Sequence, residues 1–579
     1  MTQDVSRADR VLRLSRYLRR LPPRMVGGKL VQMAKQRFLI WRVFRRVSVS
    51  TPLAAVSAPG LRRFAESFAL QGIRMDTNTK EALEAGVFRS GEREFAFGNL
   101  EAIHCGRILS ESPTDVRLEH DLAFFTFAMP LAKCEPDTIR TTAQIARNLE
   151  HGVSHASDLR RFEWSPIALA FRTMSLISSL QLVGPLASEK YGNDSLSIRR
   201  HIEICGSLLE KQVERYLGYN HAVFTESALM AYRLHRGDFR RARSSASRTL
   251  SVISKSTLQD GTWSERSPAY HAHMLLMLKA VRSTGLLRSA QDDEARELED
   301  RMSGALHTLV HPDGDIAVFN DAAVHDAPAP KLLGWKTDHA RSRNSVLTDA
   351  GFVRASRGLI STLMDAGPMG PDDVVGHGHA DFLAVEMVIA GHRFIVDPGV
   401  ASISGGPLRV WTRSAETHNG PVFVGYEPAE FFGAWRVGWS GAAAIDYVEV
   451  NAHGEVELAK ASCDGWARWG GHVERTLTVK DEFTQICDKW SGMDTTPRQT
   501  SFLISDDWSP DQVSSDRIDF IHSSGVKAQL VVQGEVTISL TPESHFQSGP
   551  ASRRPAHRIT CVPSSDSITI RIVTAKGSS

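Results

Sequence analysis

The sequence lacks several features that would assign it to a familiar class. Its six cysteines are scattered and form no Cys-x-x-Cys pair, which excludes a zinc ribbon and a dense disulfide framework, so we expect reduced, partly buried thiols. No apolar run reaches about 18 residues, so no transmembrane helix is predicted. Arginines interrupt every apolar run of the N-terminal segment VLRLSRYLRRLPPRMVGGKL. No Sec-type signal peptide is recognisable, which leaves the cytoplasm as the default compartment and the periplasm as the alternative.

A strong excess of charge is also missing, because 68 Lys and Arg residues stand against 66 Asp and Glu residues. This balance hides an asymmetry. Residues 1–50 hold 13 basic and two acidic side chains, whereas the remaining residues carry a formal net charge of −9. Overall basicity therefore does not explain what the body of the protein binds, and nucleic acid is not an expected partner. The oligomeric state stays open.

The basic N-terminal segment combines cationic and bulky apolar residues, as in KQRFLIWRVFRR. Such a segment can lie on an anionic membrane surface or dock onto the protein body. Pro22 and Pro23 divide the pattern into short helices, which favours docking. We therefore predict that residues 1–60 form a basic segment that packs on the body.

The hydrophobic periodicity changes once along the chain. Over residues 61–340 apolar residues recur at helical spacing, as in PIALAFRTMSLISSLQLVG, without a repeat of fixed length. Over residues 341–579 they alternate with period two, which indicates antiparallel strands. The pattern predicts an α+β multidomain protein with a helical domain, a linker near 327–345 and an antiparallel β-sandwich.

Two short polar segments fall at predicted helix starts. In GYNHAVFTE (218–226), Asn220 and His221 begin a helix, where an N-cap and a core histidine are the structural alternatives. In DGTWSERSPAYHAH (260–273), Ser267 is the predicted N-cap, which puts Tyr270 in the first turn. For Tyr270 the alternative is a packed ring with a satisfied hydroxyl.

Two further polar segments fall in the predicted β region. In GHGHAD (376–381), an extended chain would point His377 and His379 to one face, which suits a metal, or a base beside a ligand. Farther along, Arg409 and Arg413 are spaced to hold an acidic substrate, with ordinary surface charges as the alternative.

A metal site can also be drawn from this region, with two neutral nitrogens, one carboxylate and an open fourth position. Its members would be His379, Asp397 and His418. The predicted hairpin around Gly391 and His392 places Asp397 opposite Glu386. The loop that carries GHGH must therefore fold back across the sheet to reach Asp397.

Taken in chain order, these segments resemble the heparinase II/III family of polysaccharide lyases, which is related to the oligoalginate lyases. The basic start of the chain is also similar to the leaders of bacterial members. Each motif is short and has little weight alone. The resemblance rests on the fact that the motifs occur in the same order along the chain as in the family. The motifs are FEWSPIALAFR (162–172), YNH (219–221), DGTWSERSPAYH (260–271), DGDIAVFNDAA (313–323) and the stretch from GHGHAD to ETHNG (376–420).

The resemblance implies an (α/α) toroid followed by an antiparallel β-sandwich, and cleavage of an acidic polysaccharide or oligosaccharide by β-elimination at a uronic acid. This reaction makes three demands. The substrate carboxylate must be neutralised to stabilise an enolate-like intermediate. A base must remove the C5 proton, and an acid must protonate the departing O4.

The same resemblance assigns roles to individual residues. Asn220 and His221 match the pair that contacts the substrate carboxylate or assists proton removal, and His377 matches the catalytic histidine. Tyr270 matches the catalytic tyrosine, and its phenol, with an ordinary pKa of about 10, suits protonation of O4.

Further roles implied by the resemblance concern substrate and metal. The expected substrate contacts are Trp164, Glu265, Arg409 and Arg413, with core packing as the alternative for Trp164. The expected ligands of a structural zinc ion, which would order the sandwich, are His379, Asp397 and His418. No organic cofactor is implied.

Tyr219 departs from the family pattern, in which an Asn precedes the Asn-His pair, and this departure bears on substrate preference. Two alternatives to a lyase stay open. A glycoside hydrolase would use Glu226 and Glu265 as its carboxylates, and a non-catalytic protein would serve cell-surface or exopolysaccharide metabolism. Because the body of the chain is slightly acidic, the sequence favours an unsulfated uronate polymer, such as a bacterial exopolysaccharide, over heparin.

Overall fold

A computed structural model describes residues 7–48, 59–69, 85, 87–90, 93–96, 123–126, 128–129, 138–184, 189–336, 345–547, 549 and 553–574. The chain forms two compact units. The helical unit consists of Pro22–Thr257 and His273–Asp300, and the β unit consists of Met1–Leu21, Leu258–Ala272 and Arg301–Ser579. The predicted linker falls partly outside the described residues, at 337–344, as do parts of the predicted segment 1–60.

The described helices are numbered in chain order. They are α1 (Arg7–Arg20), α2 (Pro23–Ser48), α3 (Pro59–Phe68), α4 (Thr138–His151), α5 (Pro166–Val183), α6 (Gly192–Gln212), α7 (Tyr219–His235), α8 (Phe239–Ser256), α9 (Pro268–Ser283), α10 (Ser289–Leu309) and α11 (Pro407–Arg413).

Local capping chemistry sets the helix starts on which the site depends. The Oγ of Ser165 accepts a hydrogen bond from the Ala168 N–H at 3.4 Å, and Pro166 begins α5. The Oγ of Ser267 accepts from the Tyr270 N–H at 3.4 Å at the start of α9. The predicted helix start at Ser267 is confirmed.

Helix α5 is the one described helix that is long and apolar enough to cross a membrane by length and composition, and 78% of its apolar window is buried inside the protein. It packs against α6 and α7 within the helical unit. A core helix passes the same test, and the burial of α5 is typical of one.

The described strands are also numbered in chain order. They are β1 (Val87–Ser90), β2 (Arg93–Ala96), β3 (Ser345–Leu347), β4 (Phe352–Arg357), β5 (Ile360–Asp365), β6 (Val385–Ile389), β7 (His392–Ile395), β8 (Pro421–Phe423), β9 (Ala429–Phe432), β10 (Arg436–Ser440), β11 (Ala443–Val450), β12 (Val456–Cys463), β13 (His472–Val479), β14 (Phe483–Ser491), β15 (Arg498–Ser505), β16 (Trp508–Val513), β17 (Arg517–His522), β18 (Lys527–Gln533), β19 (Val536–His545), β20 (Arg554–Pro563) and β21 (Ser567–Thr574).

Two large antiparallel sheets pack face to face in the β unit. One has the order β11-β12-β13-β14-β21-β18-β17-β16, and the other has the order β19-β20-β15-β7-β6-β5-β4-β3, with β8 paired to β15. Alternate residues of β13 and β14, including Val473, Leu477 and Ile486, meet Phe502 and Ile504 of β15 in one core. The predicted α+β architecture, helices first and antiparallel sheets after, is confirmed.

The hairpin of β6 and β7 turns one residue earlier than the sequence predicts. Ile389 pairs with His392, so the turn residues are Ala390 and Gly391, whose φ angles are 52° and 86°. A type I′ turn needs positive φ at both positions. The prediction was wrong because it took Gly391 as the first turn residue, whereas the cross-strand pairing makes it the second.

A buried ion pair connects the two sheets. Arg475 of β13 donates from Nε and Nη2 to the carboxylate of Asp488 on β14 at 2.6 and 2.7 Å. Its Nη1 donates to the carbonyl oxygens of Leu383 and Asn419, both at 2.7 Å. Thr500 of the other sheet donates its hydroxyl to Asp488 at 2.6 Å. Both charges are therefore compensated on several sides.

Asp488→Asn is expected to lower the free energy of unfolding by about 3–5 kcal/mol, because it leaves the Arg475 guanidinium buried without a carboxylate. Urea denaturation followed by tryptophan fluorescence measures the change. Asp519→Asn is the control, since it breaks the surface pair with Arg517 on β17 and should change stability little. Equal losses in the two variants would contradict the assignment.

Candidate active site

A buried carboxylate, Asp321, lies at the centre of the candidate residues of the β unit. His377 Nδ1 lies 3.0 Å from its Oδ2, and His379 Nε2 lies 2.9 Å from its Oδ1. The guanidinium of Arg409 engages both carboxylate oxygens, with its Nη2 donating to Oδ2 at 2.8 Å. His377, His379 and Arg409, which were predicted to have separate roles, therefore all contact the Asp321 carboxylate.

The contacts of Asp321 determine its charge and that of its partners. Burial alone would raise the pKa of this carboxyl, but Arg409 and the two imidazoles hold the pKa well below its ordinary value. An ionised carboxylate only accepts hydrogen bonds, so the Nδ1 of His377 must donate. A neutral His377 then carries its lone pair on Nε2.

Two arginines of α11 hold the loop that carries His377. Arg409 and Arg413 donate to carbonyl oxygens of residues 375–378 at distances of 2.8–3.3 Å. Both also donate to the carbonyl of Ala434, at 3.1 and 3.2 Å, and both are fully buried. These arginines were predicted to bind the substrate. In the structure their N–H groups instead donate hydrogen bonds to groups of the protein itself, and so they position the histidine loop.

Strained backbone surrounds the same loop. Arg266, Asn320 and Leu383 have φ angles of 58°, 58° and 60°, a conformation that costs a non-glycine residue about 1–3 kcal/mol. Hydrogen bonds hold Asn320 there, because its Oδ1 accepts from the His379 N–H and its own N–H donates to Asp381, both at 2.8 Å. Such strain clusters at functional sites, where the surrounding structure over-determines it.

Tyr270 faces the histidine, with its ring centroid 4.2 Å from that of His377. Burial raises the pKa of its phenol well above the ordinary value, and the carboxylates of Asp321 and Glu265 raise it further. Tyr270 therefore keeps its proton at neutral pH. Glu265 itself is buried, accepts from Trp263 Nε1 at 2.7 Å, and places Oε1 3.7 Å from the Nε2 of His377.

The helical unit holds a second histidine–carboxylate pair. His221 Nδ1 lies 2.9 Å from Oε2 of Glu214, which is buried, while the His221 side chain is 38% exposed. Burial would raise the pKa of Glu214, but its hydrogen bonds to His221 and Gln32 lower it. Asn220 precedes His221 in the first turn of α7 and is buried. Both predicted catalytic histidines therefore have Nδ1 fixed by a buried carboxylate.

The chain reaches Asn220 through left-handed backbone. Gly218 has a φ of 67° and Tyr219 has a φ of 48°. Asn tolerates this region better than a bulky side chain does. The residue that departs from the family pattern therefore occupies a position whose conformation favours Asn.

Trp164 and Glu226 lie inside the helical unit. Trp164 is buried, packs edge-on against Phe44 with ring centroids 5.4 Å apart, and lies under the guanidinium of Arg172 at 5.2 Å. These contacts agree with core packing, the alternative to a substrate contact for Trp164. Glu226 is buried and pairs with Arg248 Nε at 3.0 Å, so the carboxylate proposed for a hydrolase is engaged in an internal ion pair.

The three predicted zinc ligands are neighbours in the β unit. His418 Nδ1 lies 2.7 Å from Asp397 Oδ2, and the rings of His379 and His418 are 5.4 Å apart. Among the residues that the structure describes, no group of three or more His, Cys, Asp or Glu side chains is arranged to hold a metal ion. However, within the described part of the chain, His379 Nδ1 and His418 Nε2 are buried and have no hydrogen-bond partner.

Those two nitrogens have the chemistry of metal ligands. Burial lowers the pKa of His379 to about 4, which keeps its imidazole neutral, as zinc binding requires. Burial also acts to lower the pKa of His418, but Asp397 outweighs it and raises that pKa above the ordinary value. The bond from His418 Nδ1 to Asp397 resembles the carboxylate support that orients ligating histidines. The residues therefore fit a zinc ion held by the two imidazoles, with Asp397 beside them.

Comparison with known proteins identifies the β-rich region. Residues 340–575 match the family model of heparinase II/III-like C-terminal domains. This region belongs to the heparinase II/III-like family. The predicted resemblance to the heparinase II/III family is thereby confirmed over this region. No curated protein sequence matches the chain.

Solved structures of heparinase II/III-type enzymes share the fold over nearly the whole chain. A heparinase III structure is 14% identical and covers 96% of this chain and 92% of its own, with a TM-score of 0.61. A second heparinase III is 14% identical, with coverages of 96% and 91% and a TM-score of 0.57. A heparan sulfate lyase HepC mutant from Pedobacter heparinus is 17% identical, with coverages of 94% and 88% and a TM-score of 0.54.

Two carboxylates that organise the candidate histidines, Asp321 and Glu214, were not predicted from the sequence. Asp321 ends the FND segment (319–321), which contributed to the resemblance without receiving a role. Asp321 could have been recognised as an acidic residue that directly follows Asn320, in a motif that shares the family resemblance with the histidine motif. Glu214 lies outside every motif, and only its contact with His221 reveals it.

We propose that His379 and His418 bind zinc and so tie the histidine loop to the chain after α11. The purified protein should then contain about one zinc ion per chain, and His418→Ala should lose it and lower the thermal unfolding midpoint. Elemental analysis by mass spectrometry after dialysis measures the metal. His522→Ala is the control, because His522 stacks on His392 away from these residues. A metal-free parent protein would refute the ligand assignment.

Proposed function

We propose that this protein is a polysaccharide lyase, which cleaves a uronic-acid-containing polysaccharide by β-elimination. One observation carries the proposal. Tyr270, which retains its proton, lies against His377, whose Nδ1 is fixed by an ionised Asp321. This contact supports an acid and a base that act side by side, as elimination across C4 and C5 of a uronic acid requires.

The geometry favours one assignment of acid and base. His377 Nε2 accepts the C5 proton, and Asp321 stabilises the imidazolium that forms. The C5–H electrons form the C4=C5 double bond, the C4–O4 bond breaks, and Tyr270 donates its proton to O4. The reverse assignment would need a phenolate, which burial and two neighbouring carboxylates disfavour.

Neutralisation of the substrate carboxylate is assigned to Asn220 and His221, as the family resemblance implies. Support comes from the helical unit, where Glu214 orients a half-exposed His221. When His221 is protonated, its imidazolium would stabilise the charge that develops on the substrate carboxylate.

The substrate is proposed to be an unsulfated uronate polymer, although one structural relative is named a heparan sulfate lyase. Recognition of sulfate groups calls for accessible cationic side chains. Beyond residue 50 the chain carries a formal charge of −9, and Arg409 and Arg413 are buried and occupied by protein groups.

Incubation with alginate, hyaluronan, bacterial exopolysaccharides and heparan sulfate tests this function. The C4=C5 bond of the product absorbs in the ultraviolet, so absorbance should rise with at least one unsulfated uronate polymer and less with heparan sulfate. Release of reducing ends without absorbance would indicate hydrolysis. Polymer binding without turnover would indicate a non-catalytic protein, and either result would overturn the lyase proposal.

Tyr270→Phe should lower kcat on the preferred polymer by about 10²–10⁴-fold, because it removes the proton donor while the ring stays in place. Polymer binding, measured by isothermal titration calorimetry, should be largely kept. Tyr447→Phe is the matched control, since Tyr447 is exposed on β11 and its hydroxyl has no proposed role. Equal activity of the two variants would remove Tyr270 from the mechanism.

Asp321→Asn should lower kcat by about 10–100-fold with KM changed little, because Asp321 acts through His377 and not on the substrate. Circular dichroism checks folding, and activity is referred to the folded fraction. Asp313→Asn is the matched control, because Asp313 also pairs with an arginine, Arg393, without contact to a candidate residue. A loss confined to KM would contradict the positioning role.

A further inference from the structure

Helix α1 packs on the β unit through its polar side. The four residues that make these contacts with β9 and β10 are Arg13, Arg16, Tyr17 and Arg20. Arg13 donates to the carbonyl of Phe431 at 3.4 Å, and Arg20 donates to the hydroxyl of Ser440 at 3.1 Å. The arginines of this face are therefore engaged with the protein.

The opposite side of α1 is apolar and exposed. Val11, Leu14 and Leu18 are 61%, 39% and 47% exposed, and their spacing places them on one stripe of a helix with 3.6 residues per turn. That stripe is turned away from Arg13 and Arg20. A surface helix of a globular protein ordinarily buries its apolar stripe against the core. Here the orientation is reversed, which marks the stripe as a contact surface.

The charge of this segment identifies the kind of partner. Helix α1 contains six arginines and one acidic residue, Asp9. Arg19, the residue directly after Leu18, is exposed. Helix α2, in the helical unit, shows the same combination. Its sequence has seven basic and no acidic residues, and its exposed apolar side chains include Val26, Leu30 and Met33.

We propose that α1 docks the protein on an anionic lipid surface through Val11, Leu14 and Leu18, with arginines beside the stripe contacting phosphate headgroups. A basic helix with an exposed apolar stripe is the pattern of helices that lie in a membrane interface. An acidic polysaccharide would use the arginines but has no use for exposed leucines. The apolar stripe therefore selects lipid over a soluble polyanion.

Co-sedimentation of the full chain with vesicles tests this docking. The protein should bind vesicles of phosphatidylglycerol and phosphatidylcholine, bind phosphatidylcholine vesicles much more weakly, and lose affinity as salt is raised. The double variant Leu14→Ser, Leu18→Ser should weaken binding at least about tenfold, because two side chains no longer enter the apolar layer.

The matched control is the double variant Val450→Ser, Val513→Ser, which removes exposed apolar side chains from β11 and β16 and should leave vesicle binding unchanged. Circular dichroism verifies that both variants fold. Three results would overturn the proposal: no preference for anionic vesicles, equal binding by the stripe variant, or a change of oligomeric mass in light scattering caused by that variant. The last result would assign the stripe to a second copy of the chain.

Discussion

An ionised carboxylate inside a protein has to be compensated, and the compensation of Asp321 organises the candidate site. Its two oxygens engage an arginine and two imidazoles, so one anion fixes the tautomer of His377, the position of His379 and the buried charge of Arg409. Removing any partner would leave the others with an unbalanced charge or an unmade hydrogen bond, which is costly at this depth.

Other contacts in the β unit hold the residues around Asp321 in position. Arg409 and Arg413 fix the backbone of the histidine loop, and hydrogen bonds at Asn320 hold a strained turn beside it. The strain is sustained because the sandwich beneath is held by apolar packing and by the Arg475–Asp488 pair. The rigid sheets thus hold the polar groups of the candidate site in fixed positions.

The sequence predicts what local chemistry determines. Ser-Pro pairs mark the starts of α5 and α9, and the change from helical to alternating periodicity separates helices from sheets. The hairpin turn is displaced by one residue because Gly391 suits either turn position and only pairing across the strands decides.

The organisation of the site could not be predicted in the same way. Asp321 lies 56 residues from His377 and 88 from Arg409 in the chain, so its role arises only when the fold joins them. The sequence predicts Arg409 and Arg413 as substrate contacts or surface cations, and their burial is a property of the fold alone. His221 and its partner Glu214 repeat the same design, a histidine oriented by a carboxylate from outside its own motif.

A double-mutant cycle on kcat/KM for β-elimination tests whether Asp321 acts through His377. Asp321→Asn, His377→Ala and the double variant are compared with the parent protein. If Asp321 works through the imidazole, the double variant will be no slower than His377→Ala alone. Losses that multiply would show independent contributions and would contradict the account.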